Sequence, residues 1–147
     1  MNRLFAVATA MVLLAALPAA AQNMPTLDLA VGMYRIEAEV ANTGPSRMIG
    51  LMQREYMPPQ HGMLFVFDAD ARHCMWMKNT LIPLSVAFLD VGGKIINVEE
   101  MEPQTENNHC AARPARFALE MNTAWFRKRG LGPGAAIGGI ERAPPAR

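Results

Sequence analysis

Serine, cysteine, tryptophan and tyrosine are scarce in this 147-residue chain, which holds two of each. The scarcity of serine leaves little hydroxyl-nucleophile chemistry. Neither Ser46 nor Ser85 stands in a G-x-S-x-G elbow. There is no P-loop and no dinucleotide-binding glycine fingerprint. No C-x-x-C or H-x-x-x-H spacing supports zinc or a close-set redox couple. Charge of one sign is also missing: 14 Lys and Arg face 13 Asp and Glu. That balance offers no basic face to a phosphate backbone, so no nucleic-acid partner is expected. There are no internal repeats and no low-complexity tract.

What is present begins at the N-terminus. Arg3 is the only charge in residues 1–21, and an apolar run over residues 4–17 follows it. That run has the length of a signal h-region and is short for a bilayer span. Pro18 breaks it, and Ala19, Ala20 and Ala21 supply the small residues of a cleavage site before Gln22. Residues 1–21 therefore read as a secretory signal peptide, and the mature chain as periplasmic or secreted. No second apolar run of about 18 residues follows, so no stable membrane insertion is expected after cleavage. Cleavage removes Arg3 and no acid, which leaves 13 charges of each sign.

Export bears on Cys74 and Cys110. In an oxidising compartment two cysteines usually pair, so a structural disulfide is expected. The chain-entropy argument gives such a bridge roughly 3–4 kcal/mol.

Residues 22–32 read as a linker, residues 33–141 as one domain and residues 142–147 as a loose Pro-rich tail. Tyr34, Ile36, Ala38 and Val40 alternate with charged residues, which predicts a half-buried strand. Thr43 or Ser46 can cap a short helix over residues 47–54, with Met48, Leu51 and Met52 inward. Residues 63–67 form a continuous apolar run, the mark of a strand buried on both faces. Asp68, Ala69 and Asp70 are expected to turn the chain. Residues 74–78 read as a strand. Residues 84–89 and 94–98 flank Asp90-Val91-Gly92-Gly93 as a hairpin. A long loop over 101–115 leads to a strand over 117–121. Thr123 can cap a helix over 124–128 that Gly130 ends in a left-handed conformation. A last short strand is expected over 136–140. The predicted fold is α+β and mostly β: a curled antiparallel sheet or partial barrel with two short helices.

Candidate chemistry gathers in three places. Trp76, Lys78, Asn79 and Thr80, beside Pro83, can line a groove for a small polar or carbohydrate-like ligand. Arg54 can join it, paired with an acid such as Glu120. Glu120 shares its strand face with Ala118 and Asn122, opposite Phe117, Leu119 and Met121. If buried, it must be paired or protonated. As a lone carboxylate it is a weak candidate for acid–base catalysis in an envelope enzyme. Third, His73, Met75, Met77 and His109 include the soft ligands that copper(I) prefers, although methionine is also ordinary core filler. No cofactor is expected.

Four segments together resemble the domain of unknown function 192 family, the uncharacterised ACR proteins. They are Gly50-Leu51-Met52-Gln53-Arg54, Gly62-Met63-Leu64-Phe65-Val66-Phe67, Trp76-Met77-Lys78-Asn79-Thr80-Leu81-Ile82-Pro83-Leu84 and Ala118-Leu119-Glu120-Met121-Asn122. The resemblance covers roughly residues 33–140. It implies a small β-rich single domain, often exported, without an established activity, and it brings no catalytic residues. The family usually has Asp where this chain has Ser85. It often has an aromatic or small residue where Cys74 stands, so the disulfide is a subgroup feature. The leading expectation is a non-enzymatic binding module of the cell envelope.

Overall fold

The computed structural model describes residues 23–147; the predicted signal peptide, with its cleavage point before Gln22, lies outside the described residues. The strands are β1 (Thr26–Val31), β2 (Tyr34–Ala41), β3 (His61–Ala71), β4 (Cys74–Met75), β5 (Leu84–Leu89), β6 (Ile95–Met101), β7 (His109–Cys110) and β8 (Ala115–Asn122). One α-helix, α1 (Gly44–Ile49), and two 3-10 turns, Arg127–Arg129 and Ile140–Arg142, complete the elements. Six strands form one sheet in the order β1-β2-β3-β8-β5-β6, and β4 pairs with β7 apart from it.

The sheet is mixed. β2 and β3 run parallel while their neighbours pair antiparallel. A parallel pair needs a crossover, and α1 with the loop after it provides one. The sheet curls without closing. Its edges, β1 and β6, are spanned by the segment before the second 3-10 turn. Ala30 bridges Gly138, and Lys94 bridges Ala136. The strand expected over 136–140 is thus two isolated bridges that stitch the edges together.

Both faces of the sheet are covered. On the concave face Leu29, Ile36, Leu64, Leu119, Met121 and Phe126 form one core, capped by Trp125 and Ile137. On the outer face Met63, Phe65, Val86, Phe88 and Ala118 form a second core beneath Leu51, Met57, Met77 and Ala111. The continuous apolar run in β3 follows from this double burial, since residues 62–67 are all buried.

Several local expectations change. The supposed linker becomes β1 from Thr26, because Leu29 and Val31 pack into the concave core. β3 runs on through Asp68–Asp70 as an exposed strand instead of turning there. α1 starts earlier than expected and ends at Ile49. The capping box is real: Thr43 Oγ1 accepts from Ser46 N, and Thr43 N donates to Ser46 Oγ. Met48 faces solvent rather than the core. The strand expected over 74–78 is only Cys74–Met75. The second helix shrinks to the 3-10 turn Arg127–Arg129, because Thr123 Oγ1 donates to Glu100 rather than capping it. Gly130 does adopt the left-handed conformation, with φ 64°. The tail is tied down: Arg147 N donates to Asn42 O, and Asn42 Nδ2 donates to Pro145 O. The opposite end is anchored to the same strand region, where Val40 N donates to Pro25 O. Cys74 and Cys110 form the expected disulfide across β4 and β7. No helix among the described residues is long and apolar enough to cross a membrane.

Candidate functional site

The covering of the outer core is built from loops that lock into each other. After α1, Gly50 turns the chain with φ 50°. A side chain there would place its Cβ 3.1 Å from the Phe65 ring, tighter than ordinary contact, and would have to take a positive φ as well. Gln53 and Asn79 are both left-handed, with φ 62° and 54°. They meet where Gln53 N donates to Asn79 O at 2.9 Å. On the other side Met77 N donates to Thr105 O, and Gln104 N donates to Thr80 O, both at 3.0 Å. The segment 76–80 is therefore clamped between the loop after α1 and the loop after β6. Clamping sends Met77 wholly into the outer core and leaves Trp76 at 39% exposure. Met77 and Trp76 thus face opposite ways, as neighbours on a strand would, although the segment is not a strand.

A crevice of about 30 Å³ opens where these loops meet the sheet. Its inner wall is Leu51, Phe65, Thr80 and Glu120, all buried. Its rim is Met48, Ile49 and Trp76, all exposed, with Met52 and Met75 between. Arg47 lines one side, held by the Val66 carbonyl at 3.0 Å and facing Asp68 at 3.8 Å.

Glu120 is the chemical centre of the crevice. In β8 it stands between Met63 of β3 and Val86 of β5. It is 3% exposed. No hydrogen bond from any described group reaches its carboxyl. The one fully enclosed side-chain polar atom without a partner among the described residues is Arg129 Nε. Glu120 itself lines the crevice. Burial pushes its pKa up from 4.5 to about 8, because the charged form loses its hydration. Near neutral pH it is mainly the uncharged acid.

Of the expected ligand residues, Trp76, Thr80 and Glu120 converge on this crevice. Arg54, Lys78 and Asn79 do not line it. Arg54 makes a two-pronged pair with Glu39, at 2.6 and 2.5 Å, so the Arg54–Glu120 pairing is replaced. Lys78 faces Glu106 at 3.4 Å and stands 5.2 Å from the Trp76 ring centroid. Asn79 contributes its backbone carbonyl to Gln53. The sequence reading missed Arg47, Met48, Ile49 and Phe65 as lining groups. Gly50, a glycine inside the span expected to be helical, is the one local signal that could have pointed to a close backbone approach here.

The soft-ligand candidates separate into different surroundings. Met77 is core and Met75 lines the crevice. His73 stacks on Phe67 at 3.8 Å, with Nε2 at 2.8 Å from Ala69 O. His109 Nδ1 lies 4.0 Å from Glu99. No group of three or more His, Cys, Asp or Glu among the described residues is placed to hold a metal. A larger groove of about 430 Å³ runs past Tyr56, Thr123 and Lys128, but it holds no buried titratable group.

Comparison with known proteins places this architecture. Among curated proteins, none matches the chain. A structure from Sinorhizobium meliloti 1021, described as that of a candidate transcription regulator, is 30% identical. The match covers 79% of this chain and 95% of that one, with a TM-score of 0.76. A protein of unknown function from Novosphingobium aromaticivorans DSM 12444 is 28% identical over 84% of this chain and 93% of that one, also with a TM-score of 0.76. The family model DUF192, described as uncharacterised ACR, matches residues 27–139. The chain therefore belongs to the DUF192 family.

Proposed function

We propose that this chain is an exported, non-enzymatic binding module of the cell envelope whose site is the Trp76–Thr80–Glu120 crevice. The observation that carries the reading is the position of Glu120. A buried acid without a hydrogen-bond partner among the described residues sits at the floor of a crevice that three separated segments build together. Leaving such a group unmatched costs about 1–3 kcal/mol, which a ligand that matches it recovers. The room of about 30 Å³ suits one small polar group and not a sugar ring, so the ligand is narrower than a carbohydrate. The signal-like residues 1–21 and the Cys74–Cys110 bridge support an oxidising compartment. The even charge balance supports leaving nucleic acid out.

A second reading makes Glu120 the acid or base of an envelope enzyme. Its favouring observation is the pKa near 8, a range useful for proton transfer at neutral pH. It lacks a second reacting group, because no hydrogen bond joins Glu120 to a described side chain.

The test is a nuclear magnetic resonance screen of the disulfide-bonded mature chain. Fragments of the ethanol, acetamide and ethylamine type serve as probes. Shifts are expected at the amides of Gly50 and Thr80 and at the Trp76 indole. Trp76→Ala should abolish them while the thermal midpoint stays within a few degrees. A Trp76→Ala chain that fails to fold, or a screen that leaves those signals unmoved, ends the proposal.

A further inference from the structure

We propose, on the basis of that reading, that the crevice takes the ammonium group of a small primary alkylamine, seated on Glu120 with its stem against Trp76, Met48 and Met75. Size comes first. About 30 Å³ holds roughly one or two waters, and an ammonium head is water-sized. A guanidinium or a sugar ring needs more room. Hydrogen-bonding capacity comes second. An ammonium brings three donors and no acceptor. The inner wall offers acceptors to meet them: the two Glu120 oxygens and Thr80 Oγ1, whose own proton goes to the Lys78 carbonyl. The rim comes third. Met48 is 66% exposed and thioether side chains adapt to an alkyl stem. The Trp76 ring already tolerates a cation, since the chain's own Lys78 ammonium stands 5.2 Å from its centroid. A peptide backbone would instead leave its amides against Met48 and Ile49, so a free alkylamine is the better occupant.

The charges around Glu120 permit this. Arg47 of α1 is the one other ionisable lining group, and its charge is answered by Asp68. Lys78, on the clamped segment, is answered by Glu106 from the loop after β6. The flanking residues Met63 of β3 and Val86 of β5 do not ionise.

The proton balance follows. The free site holds a proton on Glu120 at neutral pH. Seating R–NH3⁺ drives that proton to solvent and leaves an ammonium–carboxylate pair. Amine affinity therefore rises about tenfold per pH unit towards pH 8 and then levels off. A neutral carbonyl ligand would need the proton to stay, and would bind more weakly above pH 8.

The experiment is calorimetric titration of the disulfide-bonded mature chain with n-butylamine, butanamide and Nα-acetyl-lysine-methylamide at pH 6, 7 and 8. The expected result is butylamine binding that strengthens about tenfold from pH 6 to pH 7, with proton release seen as a dependence of heat on buffer. Glu120→Gln, its folding checked by thermal melting, should weaken butylamine at least tenfold. The pH profile of the unsubstituted chain gives the same answer without the variant. Binding of butanamide in place of butylamine, retained by Glu120→Gln, overturns the ammonium and leaves the crevice reading standing. Binding of the lysine derivative alone overturns the free amine in favour of a polypeptide partner. Silence from all three probes overturns the ammonium and the crevice reading together.

Discussion

Glu120 ionises near pH 8 in the folded chain and near 4.5 in an open one. Between those values the unfolded chain has released a proton that the folded chain still holds. The contribution of Glu120 to stability is therefore largest at low pH, falls as pH rises from about 4.5 to about 8, and levels off above that. The slope is on the order of 1 kcal/mol per pH unit. Urea melts of Glu120→Gln should lack this slope, and the variant should gain on the unsubstituted chain as pH rises from 5 to 8.5. Parallel pH profiles for the two chains would refute the assignment. Alternation in β8 already sets Glu120 opposite Phe117, Leu119 and Met121. What it cannot disclose is that the second face is covered too. The covering is irregular loop, and irregular loop has no period to read. Arg54 illustrates the same limit. Its charge asks for an acid, and nothing local chooses Glu39 over Glu120.

The short helix α1 and the turn that ends it decide where the crevice wall stands. The capping box at Thr43 and Ser46 makes the start of α1 legible. The end is less so, because Met48, Leu51 and Met52 keep a helical spacing past the last helical residue. Gly50 breaks that pattern. A Gly50→Ala side chain would meet a left-handed backbone and the Phe65 ring at once. The expected loss is about 1–2 kcal/mol in denaturant melts. The loop carrying Leu51 and Met52 should shift with it, visible as changed amide signals from residue 50 to residue 54. Unchanged stability would mean that neither the conformation nor the contact restrains the turn. The long segment after β6 shows what loop composition hides: Thr105 and Gln104 clamp residues 77 and 80 through backbone groups, which no side-chain pattern announces.

At the scale of the whole molecule, the disulfide ties two stretches that the main sheet does not hold. Cys74 and Cys110 lie 36 residues apart, and β4 and β7 share only two residue pairs. Chain made with residues 1–21 should be recovered from the periplasm starting at Gln22, with the bridge formed. Reduction should lower its stability by roughly 3–4 kcal/mol in urea melts. A full-length chain retained in the cytoplasm would refute export. The overall class, a curled and mostly β sheet, is legible because strand periodicity and the Asp90 hairpin are local signals. The parallel β2–β3 pair and the stitching of the edges by residues 136–138 are not, since both depend on partners far away in sequence.

The anchoring of both ends beside β2 has a practical consequence. Pro25 is held at Val40 and Arg147 at Asn42, so the two ends of the folded domain are spatial neighbours. A short peptide linker can join them. New ends can then be opened at the exposed Val91-Gly92 tip, remote in sequence from every residue that lines the crevice. Such a circularly permuted domain would leave every crevice-lining segment unbroken and offer attachment points for a reporter or a surface at the exposed tip.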